Sequence, residues 1–179
     1  MRREPLLQQL RAYRDRWPAE TATADRLIEF VERHPDCFER ALEVGHVTGS
    51  AWLLNRAQTR VLLTHHRKLD IWVQLGGHTD GNADVLDSAR REAVEESGIA
   101  AVEPINLEIF DIDIHLIPAR KTEPAHYHHD IRYAFRTVDS DEYVVSDESH
   151  DLAWVDVQRI ADYTNEASML RMADKWLTR

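Results

Sequence analysis

Gly76-Gly77-His78-Thr79-Asp80-Gly81-Asn82-Ala83-Asp84-Val85-Leu86-Asp87-Ser88-Ala89-Arg90-Arg91-Glu92-Ala93-Val94-Glu95-Glu96-Ser97-Gly98-Ile99 is the stretch whose reading decides the fold. It reads as a strand end, a glycine-rich loop, a helix and a glycine stop. Asp84 stands as the N-cap, with Asp87 three residues on. Val85 to Ser97 holds no Gly or Pro and few β-branched residues, so it can be helical. Gly98 falls where a left-handed C-terminal cap belongs. Glu92, Glu95 and Glu96 stand at i, i+3 and i+4 and share one face. Leu86, Ala89, Ala93 and Ala100 form an apolar stripe beside it, so the carboxylates border the buried side. Like charges at these spacings cost roughly 0.2–0.5 kcal/mol per pair on an exposed helix, and a divalent cation reverses the sign. Hard oxygen ligands on a rigid element suit Mg²⁺ or Mn²⁺. The plain alternative is a solvated acidic helix face.

The same stretch resembles the Nudix box, G-x5-E-x7-R-E-U-x-E-E-x-G-U with U apolar. Gly77, Arg91, Glu92, Ala93, Glu95, Glu96, Gly98 and Ile99 fall at the required spacing. The departure is Ala83, where the family pattern has its first Glu. By resemblance that Glu supports the loop–helix geometry through the helix arginine. Its replacement therefore bears on the partner of Arg91, and Asp84 is the neighbour placed to take over part of the role. The resemblance implies the Nudix fold, an α+β or α/β/α sandwich with a mixed β-sheet. It implies a metal site formed by Glu92, Glu95 and Glu96, completed by the carbonyl of Gly76 or Gly77. Arg91, Gly98 and Asp84 are then structural members of the box.

Apolar residues make up 43% of the chain, enough for a real core, and 32 acidic residues oppose 22 basic ones. A net charge of −10 argues against a nucleic-acid polymer as partner. Cys37 is the single cysteine, which excludes an intramolecular disulfide and a Cys-based zinc site. It is expected to be a small buried apolar residue. The N-terminus is charged, and no run reaches the roughly 20 apolar residues of a membrane span. A cytoplasmic protein without a membrane partner is expected.

Before the box, residues 1–42 read as a helical N-terminal extension and 43–179 as the main domain. Leu6, Leu7, Leu10, Tyr13 and Trp17 recur at near-helical spacing up to Pro18, and a second helix carries Leu27, Ile28, Phe30 and Val31. From Gly45 the period changes to two. His46 to Leu54 reads as a strand with a bulge at Gly49. Arg60 to His66 reads as its hairpin partner, and Ile71 to Leu75 runs into the glycine pair. Trp52 and Trp72 are read as core, and the basic cluster His65, His66, Arg67 and Lys68 as a solvated loop edge.

Beyond the box, Asn106 to Leu116 alternates, with Asp111, Asp113 and His115 on one face. His126 to Val138 is the next strand, with His126, His128, Asp130 and Arg132 on one face and Tyr127, His129, Ile131, Tyr133 and Phe135 on the other. Paired as a hairpin, these strands lay two polar faces side by side. That surface is open to three readings: a hydrated sheet face, a pocket in which His and Arg bind phosphate or sugar, or an extra metal site built on His and Asp at i, i+2. The segments Gly76-Gly77-His78-x-Asp80-Gly81, Asp111–His115 and Glu123–Arg132 also resemble a bacterial Nudix group of unassigned substrate. His78, His126, His128, Asp130 and Arg132 are therefore candidate substrate contacts, with Arg120 and Lys121 as anion contacts. Residues 158–163 and 166–178 read as helical.

The expected activity is metal-dependent hydrolysis of a pyrophosphate bond in a nucleoside diphosphate linked to another moiety. Either Glu92 or Glu148 would orient or deprotonate the water; Glu148, with Asp147, is carried over by order in the chain. The partner is a small phosphorylated molecule, and the resemblance allows a homodimer. The alternative is a catalytically silent module that senses a nucleotide, motivated by Ala83. Isopentenyl diphosphate isomerase shares the fold but uses a core-domain cysteine, whereas Cys37 lies in the helical preface.

Overall fold

The computed structural model of the protein describes residues 2–66, 70–119, 124–145 and 149–179. The chain opens with α1, Glu4–Arg16, and α2, Thr21–Arg33, joined through a short 3-10 turn at Pro18–Glu20. Strands β1, Gly45–Leu54, β2, Arg60–His66, and β3, Ile71–His78, follow. Then come α3, Val85–Ser97, and strands β4, Val102–Pro104, β5, Asp111–Ile117, β6, His126–Thr137, and β7, Ser149–Asp156. A 3-10 segment, Val157–Asp162, and α4, Ala167–Leu177, end the described chain. None of the described helices is long and apolar enough to cross a membrane.

One mixed sheet runs in the order β4-β6-β1-β3-β2-β7, with β5 also paired to β6. The β1–β6 pair is parallel; the other pairs are antiparallel. Every residue of β1 is buried, so it needs a partner along both edges. β3 takes one edge and β6 the other. The expected hairpin of β1 with β2 therefore survives only at its root, Leu54↔Val61, and β3 is inserted beyond it. The short strand β4 lies in a region that the sequence reading left without a strand.

Alternation along β1 sends its odd and even residues to different layers. Val47, Ala51 and Leu53 join α1, α2 and α3 in one apolar cluster, with Ile131, Tyr133 and Phe135 of β6. Trp52 and Leu54 join Val61, Leu63, Val155, Met169 and Met172 in a second cluster under α4. Leu10, Tyr13, Leu27 and Val31 of the helical preface are thus continuous with the core of the sheet. Cys37 lies in this cluster, fully buried, and burial pushes its thiol up to about 11.

Gly49 does not form a bulge. Its register with Gly77 on one side and Ile131 on the other is unbroken. What it supplies is clearance: a Cβ there would lie 3.0 Å from the Val85 carbonyl oxygen and 3.2 Å from the Ala89 nitrogen. The backbone of α3 rests on this glycine. Gly49→Ala should lift the helix and destabilise the fold by about 1–3 kcal/mol, an overpacking cost against backbone that cannot rotate away. Urea denaturation, with an unchanged m-value and a lower midpoint, is the check.

Candidate active site

The box helix is capped as its sequence dictates. The Asp84 carboxylate accepts from the Asp87 backbone N–H at 3.0 Å, and Gly98 closes the C-terminus at φ 69°. Val85, Ala89 and Ala93 are buried against the sheet, which places Glu92 and Glu96 over the end of β3. Glu96 Oε2 accepts from the Gly76 backbone N–H at 3.2 Å. Glu92 lies against Gly77, where a Cβ would stand 2.5 Å from its Oε2. Glu95 is exposed. Arg91 Nη2 donates to the His78 carbonyl at 2.8 Å and to Glu92 Oε1 at 3.0 Å. These contacts show what holds Arg91 in a chain with Ala83 at the first box position. Asp84 is engaged in the N-cap, and Ala83 packs against the core.

Two carboxylates over a glycine backbone that leaves no room for a Cβ form a cradle of hard oxygen donors, and that donor set fits a hard divalent cation. A second set of candidate ligands is the imidazoles of His46, His78 and His128. Among the described residues that histidine trio is the set whose ligand atoms all lie within 4.8 Å of one another.

On the opposite face of the sheet the polar residues of β5 and β6 do lie side by side. Asp111↔Arg132, Asp113↔Asp130 and His115↔His128 are direct partners. Thr48 and Ser50 of β1 donate to Asp130 Oδ1 at 2.8 and 2.7 Å. Arg132 Nε donates to Asp130 Oδ2 at 2.7 Å and its Nη1 to Asp111 Oδ2 at 3.0 Å. Asp111 also receives Arg171 at 2.8 Å and Lys175 at 2.6 Å from α4. Burial works against the Arg132 charge, but Asp130, Asp111 and Asp113 outweigh it and raise its pKa.

The histidines gather beyond this network. Ring centroids are 4.9 Å apart for His46–His78, 5.0 Å for His46–His128 and 5.1 Å for His78–His128. His126 lies 5.0 Å from His46 and 5.2 Å from His128. Burial, followed by His115, His78 and His46, holds the His128 pKa down at about 2, so this imidazole is neutral in ordinary buffers.

A family model described as the NUDIX domain matches residues 45–176. The chain belongs to the Nudix family. Among solved structures, a NUDIX-family hydrolase from Clostridium perfringens is similar at 25% identity, covering 74% of this chain and 97% of the other, with a TM-score of 0.58. An Ap4A hydrolase of C. elegans shares the fold at 16% identity, covering 74% and 95%, with a TM-score of 0.59. So does the NUDIX domain of Shewanella oneidensis NrtR, complexed with ADP ribose, at 15% identity, covering 84% and 96%, with a TM-score of 0.55. A comparison with curated protein sequences gives no match. The protein is therefore a Nudix hydrolase, an enzyme of the pyrophosphohydrolase class.

In this Nudix hydrolase the sequence-predicted residues divide into separate groups. Glu92, Glu96, Arg91, Gly76 and Gly77 come together at the α3–β3 contact. His78, His126 and His128 come together on the other face. Asp130 and Arg132 are each 2% exposed and paired with one another inside the protein, so they are not presented to a ligand at the surface. Arg120, Lys121, Asp147 and Glu148 lie outside the described residues. His46 was not among the candidates. Its signal is the parallel pairing His46↔His128, which no reading of β1 alone contains.

Two outcomes follow from the ion network. Removing its central cation leaves Asp111 and Asp130 buried and under-compensated, so Arg132→Met should cost about 3–5 kcal/mol in chemical denaturation. Asp113 faces His115, Arg132 and Arg171 across this surface and Asp130 on the neighbouring strand. Burial alone would raise its pKa, but the hydrogen bond from His115 and the charges of Arg132, His115 and Arg171 hold it at about 2. A carboxylate depressed below its unfolded value of about 3.9 adds stability above that pH and loses it as pH falls toward 2. Asp113→Asn should therefore flatten the loss of stability across that acid window, read as unfolding midpoint against pH.

Proposed function

We propose that this Nudix hydrolase cleaves a pyrophosphate bond in a nucleoside diphosphate linked to another moiety, in a reaction dependent on Mg²⁺ or Mn²⁺. The observation that carries this reading is the seating of Glu92 and Glu96 over Gly76 and Gly77, with Arg91 tying α3 to the His78 carbonyl. The ion would be held by Glu92, Glu95 and Glu96, with the Gly76 or Gly77 carbonyl adding an oxygen. When bound, it would neutralise charge on the pyrophosphate oxygens and lower the pKa of a water.

The chain's own groups supply the rest. Glu92 is half-enclosed between Gly77 and Arg91, which fixes its carboxylate and suits it to orient or deprotonate the attacking water. Glu148 is the other candidate for that proton. Arg120 and Lys121, in the connection between β5 and β6, would compensate the phosphate charge that a chain of net charge −10 otherwise repels. His78, His126 and His128 remain candidate contacts to the sugar or phosphate. Because Arg91 is held by His78 and Glu92, the replacement at Ala83 leaves the box helix seated, which favours an active enzyme over a silent sensing module.

Glu96→Gln keeps the side-chain volume and the acceptor for Gly76 N–H while removing a charged ligand. It should lower metal-dependent turnover by roughly 10²–10⁴-fold with little change in the unfolding midpoint. The assay is product release from nucleoside triphosphates, nucleotide sugars, ADP-ribose and dinucleoside polyphosphates, with Mg²⁺, with Mn²⁺ and with EDTA. Turnover equal to wild type in Glu96→Gln would remove α3 from the mechanism. Tight nucleotide binding without any product in the wild type would establish the sensing module instead.

A further inference from the structure

We propose that His46, His78 and His128 form a second metal site, one for Zn²⁺ or a similar transition-metal ion. Three strands deliver these side chains. His46 is the second residue of β1, His78 ends β3, and His128 lies near the start of β6. Strand alternation explains their meeting. Gly77 faces α3, where Glu92 lies, so His78, the next residue, turns to the far face of the sheet. His46 and His128 are direct partners in the parallel β1–β6 ladder, on the face that carries Thr48, Ser50 and Asp130.

The distances suit a metal. One ligand atom from each of the three rings can be chosen so that all lie within 4.8 Å of one another. Imidazole nitrogens around tetrahedral Zn²⁺ lie about 3.3 Å apart, given Zn–N near 2.0–2.1 Å. Binding would draw the three rings inward to that spacing. His128 Nε2 is buried and has no hydrogen-bond partner among the described residues, a cost that a bound ion removes.

The surroundings match the donor set. His126 Nδ1 lies 2.9 Å from the Pro124 carbonyl oxygen, which can only accept, so Nδ1 is the donor and Nε2 is the nitrogen left to face a ligand. His115 Nδ1 lies 3.2 Å from Asp113 Oδ2, the carboxylate–imidazole arrangement that supports metal-binding histidines. Both rings stand within 5.4 Å, centroid to centroid, of His128. Imidazole ligands select Zn²⁺, Co²⁺, Ni²⁺ or Cu²⁺ over Mg²⁺, so this site is chemically separate from the carboxylates of α3. Three protein ligands leave a fourth position for water or an oxygen of a bound molecule. Occupancy would also fix His78, whose carbonyl receives Arg91, and so couple the two faces of the sheet through one residue.

The test uses the full-length chain without a histidine tag, stripped with chelator and then titrated with Co²⁺ and with Zn²⁺. In excess Mg²⁺, which occupies the carboxylates of α3, the wild type should bind one Co²⁺ per chain and develop visible d–d absorption that Zn²⁺ displaces. His78→Gln and His128→Gln should each weaken binding at least about tenfold and lose that spectrum. Glu96→Gln should keep both the stoichiometry and the spectrum, which distinguishes this site from the carboxylates of α3. No stoichiometric Co²⁺ spectrum, or one that survives both histidine variants, would overturn the proposal and leave the histidines as packed rings. Where a variant fails to fold, ¹⁵N shifts of the imidazole nitrogens in the wild type decide. Zn²⁺ should move His46, His78 and His128 together, and a titration that leaves them in place counts against the site.

Discussion

The close approach of α3 to the sheet is the constraint on which the rest depends. Two glycines make it. Gly49 in β1 leaves room for the backbone of Val85 and Ala89, and Gly77 in β3 leaves room for the carboxylate of Glu92. These two glycines are paired with each other across the β1–β3 ladder, so the helix lies over one spot in the sheet. With the helix that near, its glutamates reach the backbone of β3, and Arg91 reaches the His78 carbonyl. A helix even slightly farther from the sheet would carry the same charges into solvent as an ordinary acidic face.

The opposite face of the same strands has a different character. Asp111, Asp113 and Asp130 surround Arg132, and Arg171 and Lys175 arrive from α4. Such a network is weak evidence for net stability, because desolvation offsets much of the attraction. Its effect is on arrangement. It fixes the registers of β5 and β6 and anchors α4, and it separates the apolar layer under α4 from the histidines at the far end of the strands. It also reaches the helical preface, since Lys175 contacts both Glu20 and Tyr13. The N-terminal helices and the turn between them therefore interact with α4 and the sheet through charge as well as through the shared apolar cluster.

Local physical signals were readable wherever one element decided them. The caps of α3, its charge spacing, the period change at Gly45 and the alternation of β5 and β6 all depend on neighbours a few residues away. The strand partnerships were not readable in the same way. A tight turn between β1 and β2 looks like a hairpin, yet the full burial of β1 on both edges admits β3 between them. Gly49 looks like a bulge in one strand and is instead a clearance for a helix formed 36 residues later, at Val85. Arg132 looks like an anion contact because sequence shows its charge but not the three aspartates packed around it.

The sequence by itself determined the Nudix box, the helix that carries Glu92, Glu95 and Glu96, and the presence of two polar strand faces. Those features follow from helical and strand periodicity and from the spacing of one motif. Only the tertiary structure decided that Arg91 is held by the His78 carbonyl and Glu92, that Arg132 is internal, and that His46 joins His78 and His128. The reason is physical. Each of those outcomes depends on which strand edges meet, and edge pairing is chosen by burial of the whole sheet and by the helices packed on it.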